Sequence, residues 1–351
     1  MVPSSGNSNY LKGAWYPVAR SKAIKKNVLF KSKVAGIPIV LTRLGKPFAL
    51  VDSCPHRGFP LSYGSIDENE IQCKYHGWKI NAINGDCISI PCLTEAQKKL
   101  GIEAKIKSQS LACVERGGMA WVYIPCGKER AYTCLESLPA SFDRDPDVYI
   151  EKILKADIDQ STIGLIDPVH VPFVHTSSWW KKTNPQDFKI EQRNFEPSQR
   201  GFTLKRHVIT NSGKPYKLLG EPVETEIRFE LPSLRLEIIQ GTRHAACSLT
   251  VLAPIDQQTT RVHQCLYWSS PWLLPLKPIL KALGETFLDQ DRVIVEQQQE
   301  GIAHNPVLTL VEGADTQAKW YLRIKREMER CQSEGIPFAN PLTPASLEWM
   351  S

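Results

Sequence analysis

Residues 54–76 read CPHRGFPLSYGSIDENEIQCKYH, and no other stretch constrains the fold as tightly. Cys54-x-His56 is followed, after sixteen residues, by Cys73-x-x-His76. Each pair lies in a glycine- or proline-bearing loop. Two loops that each bring one thiolate and one imidazole can close on a single metal centre. The flanking sequence supplies a β frame for them. Apolar runs at 28–30, 37–42 and 48–51 read as strands, with Leu44-Gly45-Lys46-Pro47 as a turn. Shorter strands are expected at 71–73, 78–80, 87–90 and 119–124, with Asn84-Gly85-Asp86 as a tight hairpin turn. A small all-β module ending near residue 140 is the expectation.

Two metal chemistries fit this donor set. Zinc accepts two cysteines and two histidines, although zinc fingers usually pair cysteine with cysteine and histidine with histidine along the chain. A Rieske [2Fe–2S] cluster instead takes two cysteines on one iron and two histidines on the other. Neutral imidazoles then remove negative charge and raise the reduction potential. Residues 54–76 resemble the Rieske motif CxH…CxxH of bacterial ring-hydroxylating oxygenases. Cys54-Pro-His56-Arg-Gly and Tyr75-His76-Gly-Trp78 resemble its two loops closely. Gly58 and Gly77 are read as leaving room for backbone N–H groups to approach the sulfurs. Arg57 and Trp78 are either part of that arrangement or simple loop packing. The other eight cysteines have no such histidine partners and read as reduced, buried core residues. A disulfide framework belongs to small secreted chains, which this is not.

A cluster alone would only carry electrons, and 351 residues leave some 200 more to explain. Residues 164–180 read GLIDPVHVPFVHTSSWW, containing Asp167-x-x-His170-x4-His175. Two histidines and a carboxylate on one face of a metal leave its other positions open, as in non-haem Fe(II) oxygenases. The segment is similar to the D-x2-H-x4-H motif of the Rieske oxygenase catalytic domain. That resemblance implies that His170 and His175 are iron ligands. It implies that Asp167 bridges an iron histidine to a Rieske histidine of the neighbouring subunit in a head-to-tail trimer. Asp167 also reads as a helix N-cap ahead of Pro168. Gly164 departs from the family, where many members carry asparagine.

The third ligand must come from elsewhere. A helix is expected from Leu276 to about Glu300, with an apolar stripe of Leu280, Leu283, Phe287 and Ile294. Asp291 falls on that stripe, and a buried carboxylate needs a partner such as a metal ion or a salt bridge. The segment 290–296, QDRVIVE, also resembles the family segment that holds the aspartate ligand. Asp291 is therefore the expected ligand and Asp289 its rival, with Glu285 and Asp289 placed toward solvent.

The second region is otherwise β-rich. Runs at 148–157, 202–210, 223–231, 234–240, 247–255 and 261–268 suggest an antiparallel meander, and a last amphipathic helix covers roughly 316–332. The expected fold class is α+β. A Rieske domain over 1–145 precedes a helix-grip catalytic domain over 146–351, an antiparallel sheet with helices.

The resemblance spans roughly residues 10–325 and is strongest to the vanillate O-demethylase and methylxanthine N-demethylase type. The opening from Tyr10 to Val18 is similar to that subgroup. It implies a [2Fe–2S] cluster, mononuclear Fe(II), O2 as co-substrate, and NAD(P)H used through a separate reductase and/or ferredoxin. The expected reaction is monooxygenation or dioxygenation of a small organic substrate, by hydroxylation or oxidative demethylation. The alternative is a Rieske electron-transfer protein without oxygenase activity, which would not need His170, His175 and Asp291. A desaturase or chlorophyll-modifying enzyme is a further rival, set aside because some of those end in a CxxC and membrane helices.

No G-x-G-x-x-G fingerprint is present, which places the reductase on another chain. A net charge of +6 is too mild and dispersed for a nucleic-acid binder. Lys22, Lys25, Lys26, Lys31 and Lys33 form either a solvated edge or a docking patch for an acidic partner. No apolar run suggests a membrane span or a secretory signal, so a cytoplasmic protein is expected, and the resemblance implies a homotrimer. Trp179 and Trp180 could line or gate the pocket, and Arg243 and His244 could meet a substrate carboxylate.

Overall fold

The computed structural model describes residues 10–127, 135, 138–175, 188–209 and 219–350. Trp179, Trp180 and Cys134 lie outside the described residues. The chain forms two compact units. The first takes Lys12–Leu138 and Asp143–Asp145, and the second is mainly Pro146–Ser351.

Among the described residues, the first unit is built from eleven short strands: β1 (Ala14–Arg20), β2 (Phe30–Val34), β3 (Ile37–Leu44), β4 (Lys46–Val51), β5 (Ser65–Asp67), β6 (Glu70–Gln72), β7 (Lys79–Asn81), β8 (Cys87–Ser89), β9 (Ser110–Leu111), β10 (Cys113–Arg116) and β11 (Met119–Ile124). They form three sheets, ordered β1-β11-β10, β2-β3-β4-β9 and β5-β6-β7-β8. A single-turn helix, α1 (Glu95–Lys98), is closed by a capping box of Thr94 and Gln97. The β5–β8 sheet carries both metal-motif loops: Cys54 and Leu61 join Ile71, Cys73, Trp78 and Ile80 in one apolar cluster. Burying the sides of the loops leaves their tips at the surface, where Tyr63 and Tyr75 are exposed.

The second unit is one eight-stranded antiparallel sheet with helices. Its strands are β12 (Val148–Leu154), β13 (Ile190–Pro197), β14 (Gly201–Val208), β15 (Glu224–Glu230), β16 (Leu234–Gln240), β17 (Ala245–Asp256), β18 (Thr259–Trp268) and β19 (Ala345–Met350). Their order is β12-β18-β17-β16-β15-β14-β13-β19. This is the α+β, helix-grip architecture expected from the sequence. The run at 148–157 is not one strand throughout. It stops at Leu154, and the Asp157 carboxylate accepts the Gln160 N–H to start α2 (Ile158–Ile166).

Helix α2 carries the metal motif at its end and is held on three sides. Asp159 takes Lys325 Nζ at 2.6 Å and the Tyr321 hydroxyl at 2.5 Å from α5 (Thr316–Glu334). Thr162 Oγ1 meets Ser233 Oγ at 2.8 Å, beside the sheet. On the third side a Cβ at Gly164 would stand 3.0 Å from Val295 Cγ2 of α4 (Lys277–Ile302). Glycine therefore permits the close approach of α2 to α4, and this accounts for the departure from asparagine.

Helix α4 presents a different face from the one expected. Leu288 and Val295 are its buried residues and join Val148, Ile150, Leu252 and Val262 in the core. Burying each such side chain is worth about 1.5–3 kcal/mol. Leu283 and Ile294, read as part of the inward stripe, are 54% and 45% exposed. The stripe is rotated by about one position, and Phe287 and Asp291 remain on its inner side, in the wall of the unit's cavity.

Candidate metal centres

The two motif loops of the first unit repeat one backbone design. In the first, Cys54 N–H donates to Phe59 O at 2.8 Å and Gly58 N–H donates to Cys54 O at 2.9 Å. In the second, Cys73 N–H donates to Trp78 O at 2.8 Å and Gly77 N–H donates to Cys73 O at 2.9 Å. The glycine stands four residues after the cysteine in each loop and has φ +71° in both. That left-handed turn is the reason for glycine at each place. The glycine N–H groups close the loops onto the cysteine carbonyls, and the His56 main-chain N–H bonds to the Cys54 sulfur, in line with the expected approach of backbone N–H groups.

The loops bring the donors together in like pairs, thiol beside thiol and ring beside ring. The His56 and His76 rings lie 4.5 Å apart between centroids. Both cysteines are buried. Burial, with the Cys73 thiol alongside, pushes the Cys54 thiol up to about 11. Burial, then His76 and Arg57, lowers the pKa of His56, which favours the neutral ring a metal needs. His56 Nδ1 is buried without a hydrogen-bond partner. Such a donor set and an orphaned imidazole nitrogen fit a [2Fe–2S] cluster. Trp78 stacks on His56 at 4.6 Å and 4°, so its part is packing against that ring, whereas Arg57 is exposed.

Burial raises the pKa of Cys113 and Cys247 to about 12. Cys87, Cys247, Cys265 and Cys331 are buried, but Cys113 and Cys126 are only partly buried and Cys92 is exposed, contrary to the expectation of core residues.

In the second unit His170, His175 and Asp291 come together, with donor atoms within 4.8 Å of one another. His170 Nε2 and His175 Nε2 each lie 3.4 Å from the same oxygen, Asp291 Oδ1. The far sides of both rings are fixed. His170 Nδ1–H donates to the Asp167 main-chain carbonyl at 2.9 Å, and His175 Nδ1–H donates to Gln290 Oε1 at 3.0 Å. Each bond places the proton on Nδ1 and leaves the Nε2 lone pair facing Asp291. His175 Nε2 is buried and has no hydrogen-bond partner. Two lone pairs and a carboxylate oxygen converging on one point fit a mononuclear metal ion with open positions.

The electrostatics separate the two histidines. Burial favours the neutral His170 ring, but the Asp291 and Asp167 carboxylates outweigh it and raise its pKa. For His175 burial prevails over Gln290 and Asp291, and its pKa is lowered. Phe287 stacks on the His175 ring at 3.6 Å and 16°, closing that side to water. The rival Asp289 is held away by Lys152 at 2.8 Å and Arg292 at 3.1 Å, chiefly the lysine lowering its pKa.

Asp167 is not a helix N-cap. It ends α2, its Oδ1 accepts the Val169 N–H at 2.7 Å, and the short helix α3 (Val171–Val174) starts after His170. Its Oδ2 stands 3.7 Å from His170 Nδ1, beyond hydrogen bonding, because the main-chain carbonyl of the same residue already holds that proton.

A cavity of about 380 Å³ opens beside His170 and Asp291, within the second unit. Arg235 and Glu237 of β16 lie in its wall, and the sequence reading did not single them out. Arg243 and His244, which it did, sit in the turn after β16 and are not among the cavity's lining residues.

Residues 14–112 match the Rieske [2Fe-2S] domain. Chlorophyllide a oxygenase of Arabidopsis thaliana, a chloroplastic protein, is 33% identical over 84% of this chain and 53% of its own length. Methylxanthine N1-demethylase NdmA of Pseudomonas putida is 26% identical, over 93% of this chain and 91% of its own. The chain spans about half the length of the chlorophyllide a oxygenases it matches. In fold it is similar to the crystal structure of apo dicamba monooxygenase, with TM-score 0.71 at 17% identity, covering 94% of this chain and 100% of that one.

A Rieske β module joined to an antiparallel sheet with helices defines a Rieske-type iron protein of two units. The chain carries a Rieske [2Fe-2S] domain over residues 14–112, and over most of its length it is similar to proteins named as oxygenases and demethylases. Its relatives come from both the demethylase and the chlorophyll-modifying kinds, so setting the second kind aside on sequence was not justified. Among the described residues no helix is long and apolar enough to cross a membrane.

Proposed function

We propose that the chain is the oxygenase component of a Rieske system, acting in the cytoplasm as a homotrimer. It takes electrons that originate in NAD(P)H from a separate reductase, directly or through a ferredoxin. With O2 it monooxygenates a small cyclic or aromatic compound, by hydroxylation or oxidative demethylation. The observation that supports this best is the meeting of His170 Nε2 and His175 Nε2 on Asp291 Oδ1, 3.4 Å from each, at the wall of a cavity.

In this reading Cys54, His56, Cys73 and His76 hold the [2Fe–2S] cluster, and His170, His175 and Asp291 hold mononuclear Fe(II). When bound, the cluster supplies single electrons and the mononuclear iron an open face at which O2 is activated toward a C–H bond. The chain's own residues set the conditions. Gln290 and the Asp167 carbonyl keep the Nδ1 protons in place, so neither imidazole has to change tautomer. Phe287 excludes water from one side of His175. The sheet floor orients the substrate toward the histidines. Asp167, fixed by the Val169 N–H, is the link from His170 to a Rieske histidine of the neighbouring subunit.

The test is turnover by iron-loaded protein with a surrogate reductase, O2 and a mixed panel of methoxyaromatics, N-methyl heterocycles, steroids and terpenoids. Products are read by mass, with formaldehyde assayed in parallel. Formaldehyde with a demethylated product identifies a demethylase. Added oxygen without formaldehyde identifies a hydroxylase. Reduction and reoxidation of the cluster with no oxygenated product from any compound would sink the oxygenase reading.

A further inference from the structure

The cavity beside His170 and Asp291 has two kinds of wall, and strand register explains why. Side chains directly opposite one another on neighbouring strands share a face of the sheet. Phe202 of β14 pairs with Phe229 of β15, Phe229 with Arg235 of β16, and Arg235 with Thr250 of β17. The next row runs from Ile227 to Glu237 to Ser248. Both rows line the cavity. Each begins apolar and turns polar at β16, where Leu234 and Leu236 point to the other side and are buried.

The polar wall is built around one ion pair. Arg235 Nη1 donates to Glu237 Oε2 at 3.0 Å, with the side chains only 23% and 21% exposed. The bond uses one N–H of a guanidinium that carries five, and one of two carboxylate oxygens. Arg235 is the only lysine or arginine among the described residues lining this cavity. Its charge is already cancelled by Glu237, and the remaining acids, Asp167 and Asp291, stand at the histidines.

We propose that the Arg235–Glu237 pair determines specificity in this cavity. It selects an uncharged cyclic substrate that carries a carbonyl beside an N–H or O–H, against carboxylates of the same shape. The inference rests on the reading of the cavity as an oxygenase substrate site. A substrate carbonyl accepts from the free edge of Arg235 while the neighbouring N–H or O–H donates to Glu237, and the ion pair stays intact. A substrate carboxylate can bond to Arg235 only by displacing Glu237, which leaves a half-buried charge without a partner. The Phe202 and Phe229 side takes the flat apolar part. A site built from buried polar partners discriminates far more sharply than an apolar slot, because a mismatched ligand leaves those partners unpaired.

The probes are 6-methoxy-2-naphthamide, 6-methoxy-2-naphthoate and 2-methoxynaphthalene, titrated calorimetrically into the iron-loaded holoenzyme. The amide is expected to bind at least about tenfold tighter than the carboxylate. Glu237→Gln, which frees the Arg235 charge, is expected to reverse that order. Arg235→Met is expected to weaken the amide about tenfold and leave 2-methoxynaphthalene unchanged. Near-ultraviolet circular dichroism and the mononuclear iron content show whether the second unit of each variant is folded, and the wild-type comparison is decisive without either. Equal or tighter binding of the carboxylate by the wild type overturns the proposal. So does an amide-to-carboxylate ratio that folded Glu237→Gln leaves unchanged, or no binding of any probe at about 1 mM. Preference for the amide without oxygenated product would leave this inference standing and count against the oxygenase reading. Turnover of amide and carboxylate alike, bound equally well, would do the reverse.

Discussion

Gln290 accepts the Nδ1 proton of His175 at 3.0 Å, and the residue after it, Asp291, supplies the oxygen that His175 Nε2 faces at 3.4 Å. One turn of α4 thus both orients the imidazole and completes the donor set. Phe287, one turn earlier, covers the same ring. The histidine is gripped by three residues of one helix face, spaced to meet it.

Removing that grip is expected to loosen the iron without emptying the Rieske cluster. Gln290→Leu keeps the volume but deletes the acceptor, and partners of this kind are worth roughly 10–100-fold in metal affinity or activity. Iron titration of apo-protein, read against the unchanged cluster spectrum, checks this. Gln290→Glu, which restores an acceptor, is expected to recover most of the affinity. An affinity unaffected by leucine would mean that the hydrogen bond does not orient His175.

Asp167→Asn tests the proposed link between centres. The main-chain carbonyl still holds His170 Nδ1–H, and the side-chain amide oxygen of the variant can still accept the Val169 N–H, so both metals are expected to load normally. Turnover is expected to fall roughly 10–100-fold through slower reoxidation of the reduced cluster. Stopped-flow absorbance of the cluster, with substrate and O2 present, measures that step directly. Unchanged reoxidation with both centres intact would remove Asp167 from the electron path.

What the sequence showed of this molecule follows from what short-range chemistry encodes. Cys54, His56, Cys73 and His76 stand in loops whose glycines are set by local φ, so spacing alone exposes them. His170 and His175 sit within six residues of each other. Asp291 was reachable because a charge on the inner face of an amphipathic helix is anomalous, even though the inward stripe was placed about one position off. Arg235 and Glu237 were not reachable. On a strand where charged residues alternate with buried leucines, the polar face reads as solvent, and only the register of β14 to β17 shows that it lines a cavity. Likewise β13 and β19 pair with each other across more than a hundred residues of chain, which no local pattern announces.

Gly164 is expected to reject the asparagine that many family members carry there. Its Cβ would stand 3.0 Å from Val295 Cγ2, and Val295 is buried in the core that α4 shares with β12. Overpacking of this kind typically costs about 1–3 kcal/mol. Urea unfolding of Gly164→Asn is expected to show that loss, and Val295→Ala in the same chain is expected to recover part of it. Equal stability of Gly164→Asn and the wild type would show that α2 and α4 can separate freely.

His263 is expected to make the second unit acid-sensitive. It is wholly buried in β18, where burial, aided by Arg261, pushes its pKa down to about 3 from 6.5. Its Nδ1 meets the Tyr149 hydroxyl at 2.7 Å, and that hydroxyl donates to Glu151 Oε2 at 2.7 Å. His263 Nδ1–H is therefore the donor to Tyr149, and because His263 Nε2 is buried with no acceptor for a second proton, the neutral ring is the one that fits. Between pH 6.5 and 3 the unfolded chain binds a proton at this position that the folded chain does not. The sign follows: stability falls as pH drops through that window, by up to about 1.4 kcal/mol per pH unit from this group. Folded-state carboxylates and the other histidines titrate as well, so the wild type alone cannot isolate it. His263→Leu removes only this contribution. Urea unfolding at pH 6.5 and 5.5 is expected to show the wild type losing about 1 kcal/mol more than the variant. Parallel losses in the two proteins would mean that His263 already takes up its proton in the fold, with Glu151 as the countercharge.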